Sequence, residues 1–137
     1  MSNDNHRVRQ PVAVLMGLEA ATLAIMSVFH LTGILAGGAR PFRPTDAGVA
    51  EAVISGVLLG GAAALARRAL HGRAIALAAL GFAVLGVIVG LSFTVRGGDA
   101  IDVAYHATLL PLLVITLVAV ANRLPLRPHP PTAPGRA

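Results

Sequence analysis

Five ionisable side chains set this sequence apart because they interrupt otherwise apolar stretches: Glu19, His30, Glu51, Asp102 and His106. Carboxylates and imidazoles are the groups that exchange protons and ligate cations near neutral pH, and either member of a Glu–His pair can hold the proton. A charge at the centre of a bilayer costs about 2.5–3.5 kcal/mol or more, so such groups turn inward and pair. His30, Glu51, Asp102 and His106 are therefore expected to form a polar cluster, suited to proton transfer, cation binding or a polar headgroup. Glu19 precedes His30 by 11 residues, which at 100° per residue leaves the two within about 20° around a helix. It marks a polar line along that face or a contact for a partner, with Arg7, Arg9, Arg73 and Arg123 near its side of the membrane.

Four apolar segments must position these groups: residues 12–36, 47–66, 74–95 and 103–121. Runs of about 20 apolar residues at 1.5 Å each match the hydrocarbon thickness of a bilayer. Only 12% of the chain is charged, against about 25% in a typical soluble domain. Four such helices in water would leave apolar flanks exposed, which lipid covers. The expected fold is an all-α integral membrane protein, an antiparallel up-down bundle of four transmembrane helices within residues 11–124. A polar N-terminal segment (1–10) precedes it and a proline-rich tail (125–137) follows.

Punctuation fits that division. Pro11 stands at a first turn, where a helix tolerates proline, and Gly37-Gly38 closes the first segment. Thr45 or Asp46 is the expected cap of the second helix, which Arg67 and Arg68 finish. Gly72 makes the next turn, Asp99 or Asp102 caps the fourth helix, and Pro125 stops it. Within the fourth helix, Pro111 frees a carbonyl near Ala107 and introduces a kink. GxxxG spacing at Gly33–Gly37, Gly56–Gly60 and Gly86–Gly90 points to close helix packing.

Eight of the eleven arginines fall in the N-terminus, the second link and the C-terminus; three fall in the first and third links. Positive-inside logic then puts both termini in the cytoplasm of a cell whose inner membrane holds the protein. A faint repeat, DAGVAE (46–51) against DVAYH (102–106), is compatible with two repeated helical hairpins. With that orientation His30 lies about 9 Å, Glu51 about 6 Å and His106 about 5 Å below the outer helix ends. They share one outer layer, to which Ser92, Thr32 and Tyr105 offer neutral partners.

The net charge of +5 does not signal nucleic acid, because no helix has a basic stripe and aromatic residues for base stacking are scarce. It reads as topology signal and contact with lipid headgroups. The absence of cysteine excludes disulfides, Fe–S clusters and thiolate zinc sites. His30 and His106 supply one axial pair for a b-type haem, with nothing else diagnostic of it. No metal centre is expected, since ExxH repeats and HExxH are missing, and no cofactor is specified. Ser27, three residues before His30, lacks an anchored acid. Arginine without lysine, among much alanine and glycine, indicates a GC-rich bacterial coding sequence. Small size and few catalytic motifs favour an accessory or structural subunit of a larger membrane assembly. The alternatives are a small homo-oligomeric proton-coupled or ion transporter using the outer-leaflet Glu/His cluster, and a membrane-embedded enzyme or b-haem redox protein.

Overall fold

The computed structural model describes residues 2–35 and 43–123. It contains α1 (Ser2–Leu31), α2 (Pro44–Ala66), α3 (Gly72–Gly97) and α4 (Ala100–Arg123). Each carries a stretch long and apolar enough to cross a bilayer: Gln10–Leu31, Pro44–Ala66, Gly72–Gly97 and Ala100–Asn122. The protein is an all-α, multi-pass membrane protein. Each helix packs on the next, and α4 closes back on α1. The end of α1 meets the starts of α2 and α4, so the helices alternate in direction around the bundle.

Burial follows helical periodicity. On α4 the buried positions are Asp102, His106, Leu109, Leu113, Thr116 and Val120, spaced by three or four residues as one inward stripe demands. Leu23, Leu58, Leu80 and Leu113 form the centre of the apolar core. Outward faces carry Val28, Val53, Phe82 and Ile115 instead of charges. That is the pattern of a surface solvated by lipid tails.

The helix ends depart from the sequence expectations in instructive ways. α1 begins at Ser2, with Pro11 inside it, so the segment assigned to 1–10 is helical from residue 2 onward. It ends at Leu31, five residues before the expected stop, because Gly33 adopts the left-handed conformation (φ 76°). Glycine takes that conformation without steric penalty. His30 therefore sits in the last turn of α1, closer to its end than the expected depth of about 9 Å. Gly37, Gly38 and the proline-rich tail lie outside the described residues.

α2 starts at Pro44, with Arg43 as N-cap and no side-chain cap bond, so neither Thr45 nor Asp46 performs the capping role. The helix ends at Ala66, and Arg67 and Arg68 form its C-terminal turn. Arg68 takes φ 56°, while its N–H bonds the Leu65 carbonyl and that of Ala69 bonds Ala64. This is a Schellman closure. Gly72 follows at the start of α3, where a Cβ would lie 2.6 Å from the Ala64 carbonyl oxygen.

Of the three GxxxG pairs, Gly33 lies outside the helix, and Gly56 and Gly60 face open space. Gly86 faces Ile54, and Gly90 faces His106. The closest α1–α2 approach uses Gly48, which the spacing argument did not single out.

Candidate functional site

The site is assembled from three helix ends. His30 comes from the last turn of α1, Glu51 from the eighth position of α2, and Asp102 and His106 from the start of α4. Two local features of the sequence set them there. Gly48 lets the α1 backbone come so close that its Cβ would be 3.0 Å from the Ser27 carbonyl and 3.1 Å from His30 Cβ. The Ser27 hydroxyl then donates to the Gly48 carbonyl across 2.6 Å, fixing the height of His30 against Glu51. At α4 the choice between two capping aspartates is resolved: Asp99 Oδ1 accepts from the Ile101 N–H at 2.9 Å. Asp102 is thereby released from capping and is fully buried.

All four predicted cluster residues meet. His30 Nδ1 donates to Glu51 Oε2 at 2.8 Å, and His30 Nε2 lies 3.3 Å from Asp102 Oδ2. His106 Nε2 lies 3.6 Å from Glu51 Oε1, and His106 Nδ1 is 2.9 Å from Asp102 Oδ1. The order His30–Glu51–His106–Asp102–His30 closes a ring in which imidazoles and carboxylates alternate. Every member is at least 96% buried, which excludes a set of independent interfacial groups.

The hydrogen-bond directions inside the ring are informative. His106 Nδ1 also stands 3.0 Å from the Asp102 backbone carbonyl. A carbonyl only accepts, so Nδ1 carries the proton and a neutral ring presents a lone pair at Nε2. That lone pair faces Glu51 Oε1, itself an acceptor. Among the described residues Glu51 Oε1, Asp102 Oδ1 and Asp102 Oδ2 are buried without a hydrogen bond of acceptable geometry. The two Asp102 contacts with the imidazoles are within hydrogen-bond distance but lack the angles, and the Glu51 Oε1 contact is too long. Acceptors facing acceptors in a buried site require positive charge between them.

One donor atom each from His30, Glu51 and Asp102 lies within 4.8 Å of the others, close enough to hold a metal ion. The expectation of no metal centre rested on missing ligand motifs, and ligands drawn one or two at a time from three helices leave no such motif. The two carboxylates bridge His30 and His106, occupying the space an axial pair would leave for a haem. Tyr105 and the two neutral candidates play other parts. The Tyr105 ring packs edge-on against His106 with centroids 5.3 Å apart, and its hydroxyl donates to Thr22 Oγ1 at 3.0 Å. Ser92 is half-buried and Thr32 exposed, and both bond carbonyls of their own helices.

Gly90 on α3 supplies the remaining wall, 3.3 Å from His106 Nε2 when a Cβ is built on it. A cavity of about 680 Å³ leads from there between α2 and α3. Phe82, Val89 and Phe93 line it, Glu51 and His106 reach it, and Asp46 stands at its exposed side.

Glu19 forms a separate station between α1 and α4. It is buried, and Thr116 Oγ1 donates to its Oε1 at 2.7 Å while standing 3.0 Å from the Leu112 carbonyl. Sequence reasoning missed Thr116. The available signal was its place 14 residues after Asp102, within about 40° around the same helix. Arg73, a proposed partner of Glu19, instead donates from Nη2 to the Ala121 carbonyl at 2.7 Å and caps α4. The side chains of Arg7, Arg9 and Arg123 lie outside the described residues.

The fold and site together define a four-span helical membrane protein with a buried His/Glu/Asp coordination-type cluster. Comparison with protein-family models, curated proteins and solved structures finds no match to this chain.

Proposed function

We propose that the protein binds cations within the membrane and passes them across it, as a small homo-oligomeric proton-coupled or ion transporter. The closed ring of two carboxylates and two imidazoles carries this reading. Its carboxylates bring up to two negative charges into a buried region where, among the described residues, imidazoles and no arginine stand against them. Positive charge must therefore enter with protons or with a metal ion, and intramembrane ionisable groups of this kind mark ion and proton pathways. The arginine distribution supports an orientation with the ring on the extracytoplasmic side and both termini in the cytoplasm, in the inner membrane. Glu19 lies nearer the cytoplasmic side on the same face of α1, with Tyr105 and Thr22 between the two stations.

Homo-oligomeric assembly has support from α2, where Gly56 and Gly60 open outward with nothing within 4 Å of a built Cβ. The same bare surface favours the second reading, an accessory subunit that packs on a larger membrane protein. Purified protein in liposomes loaded with pH- and metal-sensitive dyes separates the two. Cation flux above empty vesicles, lost in Glu51→Gln and Asp102→Asn, is expected of a transporter. Folded protein giving no flux of any tested cation would overturn that reading and leave the subunit role.

A further inference from the structure

The ring's chemistry identifies its occupant more narrowly than "cation". We propose that it is a site for one divalent first-row transition-metal ion of the zinc type, held by His30, Glu51, Asp102 and His106. This rests on the cation-handling reading above and names the substrate class of that site.

Three observations converge. The first is the donor set. Two imidazole nitrogens with two carboxylates suit Zn²⁺, Mn²⁺, Fe²⁺ or Co²⁺, whereas Mg²⁺ and Ca²⁺ prefer oxygen alone and Cu⁺ prefers sulfur. The chain contains no cysteine to supply thiolate.

The second is geometry. Metal–ligand bonds of about 2.0–2.2 Å separate tetrahedral ligands by roughly 3.4 Å. His106 Nε2 and Glu51 Oε1 are already 3.6 Å apart, and the His30, Glu51 and Asp102 donors lie within 4.8 Å of one another. Those three donors already converge, and His106, whose Nε2 stands beside Glu51 Oε1, completes the set as fourth ligand when its ring and the carboxylates turn toward the ion.

The third is the orientation of what is left over. Glu51 Oε1 and both Asp102 oxygens are buried without hydrogen bonds of acceptable geometry. His106 bonds a backbone carbonyl through Nδ1, the arrangement that fixes the tautomer of a metal-ligating histidine and offers Nε2 to the metal. Two carboxylates balance the charge of a divalent ion, so the loaded ring is neutral. The cavity between α2 and α3 connects Glu51 and His106 to the exposed Asp46, giving an ion a route to the ring.

The test uses the full chain purified in mild detergent, dialysed against ZnCl₂ and, separately, CoCl₂. One equivalent of zinc per chain is expected, with affinity lowered at least 100-fold in Asp102→Asn and Glu51→Gln and unchanged in Ser92→Ala, whose hydroxyl donates to the Val89 carbonyl of its own helix. Size-exclusion profiles establish that the variants fold. Should a ring variant fail to fold, the wild-type protein still decides. Bound cobalt should give the intense visible bands of a tetrahedral nitrogen–oxygen site, and zinc-edge absorption should show imidazole scattering. Absence of stoichiometric zinc, oxygen-only scattering, or equal binding of magnesium would overturn the proposal. Proton flux that depends on Glu51 without zinc binding would sink the metal assignment alone. Zinc binding without any flux would keep the site and sink transport.

Discussion

Gly48→Ala is the sharpest test of how the ring is positioned. A methyl group built at this position lies 2.8 Å from Leu31 Cγ, 3.0 Å from the Ser27 carbonyl oxygen and 3.1 Å from His30 Cβ. Reaching an ordinary 3.4 Å contact requires retreats of about 0.6, 0.4 and 0.3 Å respectively. Leu31 can rotate away. The Ser27 carbonyl is backbone and the His30 Cβ is tied to it, so α1 itself must move off α2. Overpacking of this kind costs about 1–3 kcal/mol, and stretching the 2.6 Å Ser27–Gly48 bond forfeits about 0.6 kcal/mol more. The better helix propensity of alanine returns about 1 kcal/mol. The net expectation is a loss of about 0.6–2.6 kcal/mol, measured by unfolding in mixed detergent–SDS micelles. Gly81→Ala is the matched control, since nothing lies near its Cβ, and the same propensity gain should leave it neutral or slightly stabilised. Because His30 moves with α1, Gly48→Ala should also weaken zinc binding while Gly81→Ala does not. Equal stability and equal zinc affinity for the two variants would refute the close-approach argument.

Three further outcomes are expected. Gly90→Ala places a methyl 3.3 Å from His106 Nε2; stability should change by less than about 1 kcal/mol, while zinc affinity by dialysis falls about tenfold as the ring is turned. Glu19→Gln keeps an oxygen acceptor for Thr116 and should unfold within about 1 kcal/mol of wild type, whereas Glu19→Ala should cost about 2–4 kcal/mol through a cavity and a lost hydrogen bond. Arg73→Ala removes the bonds to the Val120 and Ala121 carbonyls, and hydrogen–deuterium exchange should rise in the last turn of α4 with the rest of that helix unchanged.

The four spans were legible because a bilayer imposes a length and a composition that few other environments demand. Their ends were less so. Gly33 and Gly37 look alike in sequence, and only the left-handed backbone of Gly33 shows that α1 stops there. Asp99 and Asp102 are both plausible caps by type and position; the Ile101 N–H chooses Asp99, and the ring gains Asp102 as a result. The shared depth of His30, Glu51 and His106 was readable from counting along helices. Their closure into a ring was not, because it depends on how closely α1 and α2 approach at Gly48 and on the room Gly90 leaves for His106. Spacing along one helix cannot report which neighbour it faces, and for that reason Thr116 opposite Glu19 went unread.

Arg73 and the ring have a mechanical corollary. Side-chain bonds tie α1 to α2 through Ser27, Ser55 and His30, and α1 to α4 through Thr116, Tyr105 and His30. Among the described residues α3 has one such tether, Arg73, at the end remote from the ring. The bundle is thus three cross-tied helices with a fourth held at its two ends, by Arg73 at the foot and by the two-residue Gly98–Asp99 link to α4 at the ring end. Between those ends α3 rests on α4 and α2 by packing alone, so an outward bow of its middle widens the doorway beside Gly86 and Gly90 while the ligands stay in register.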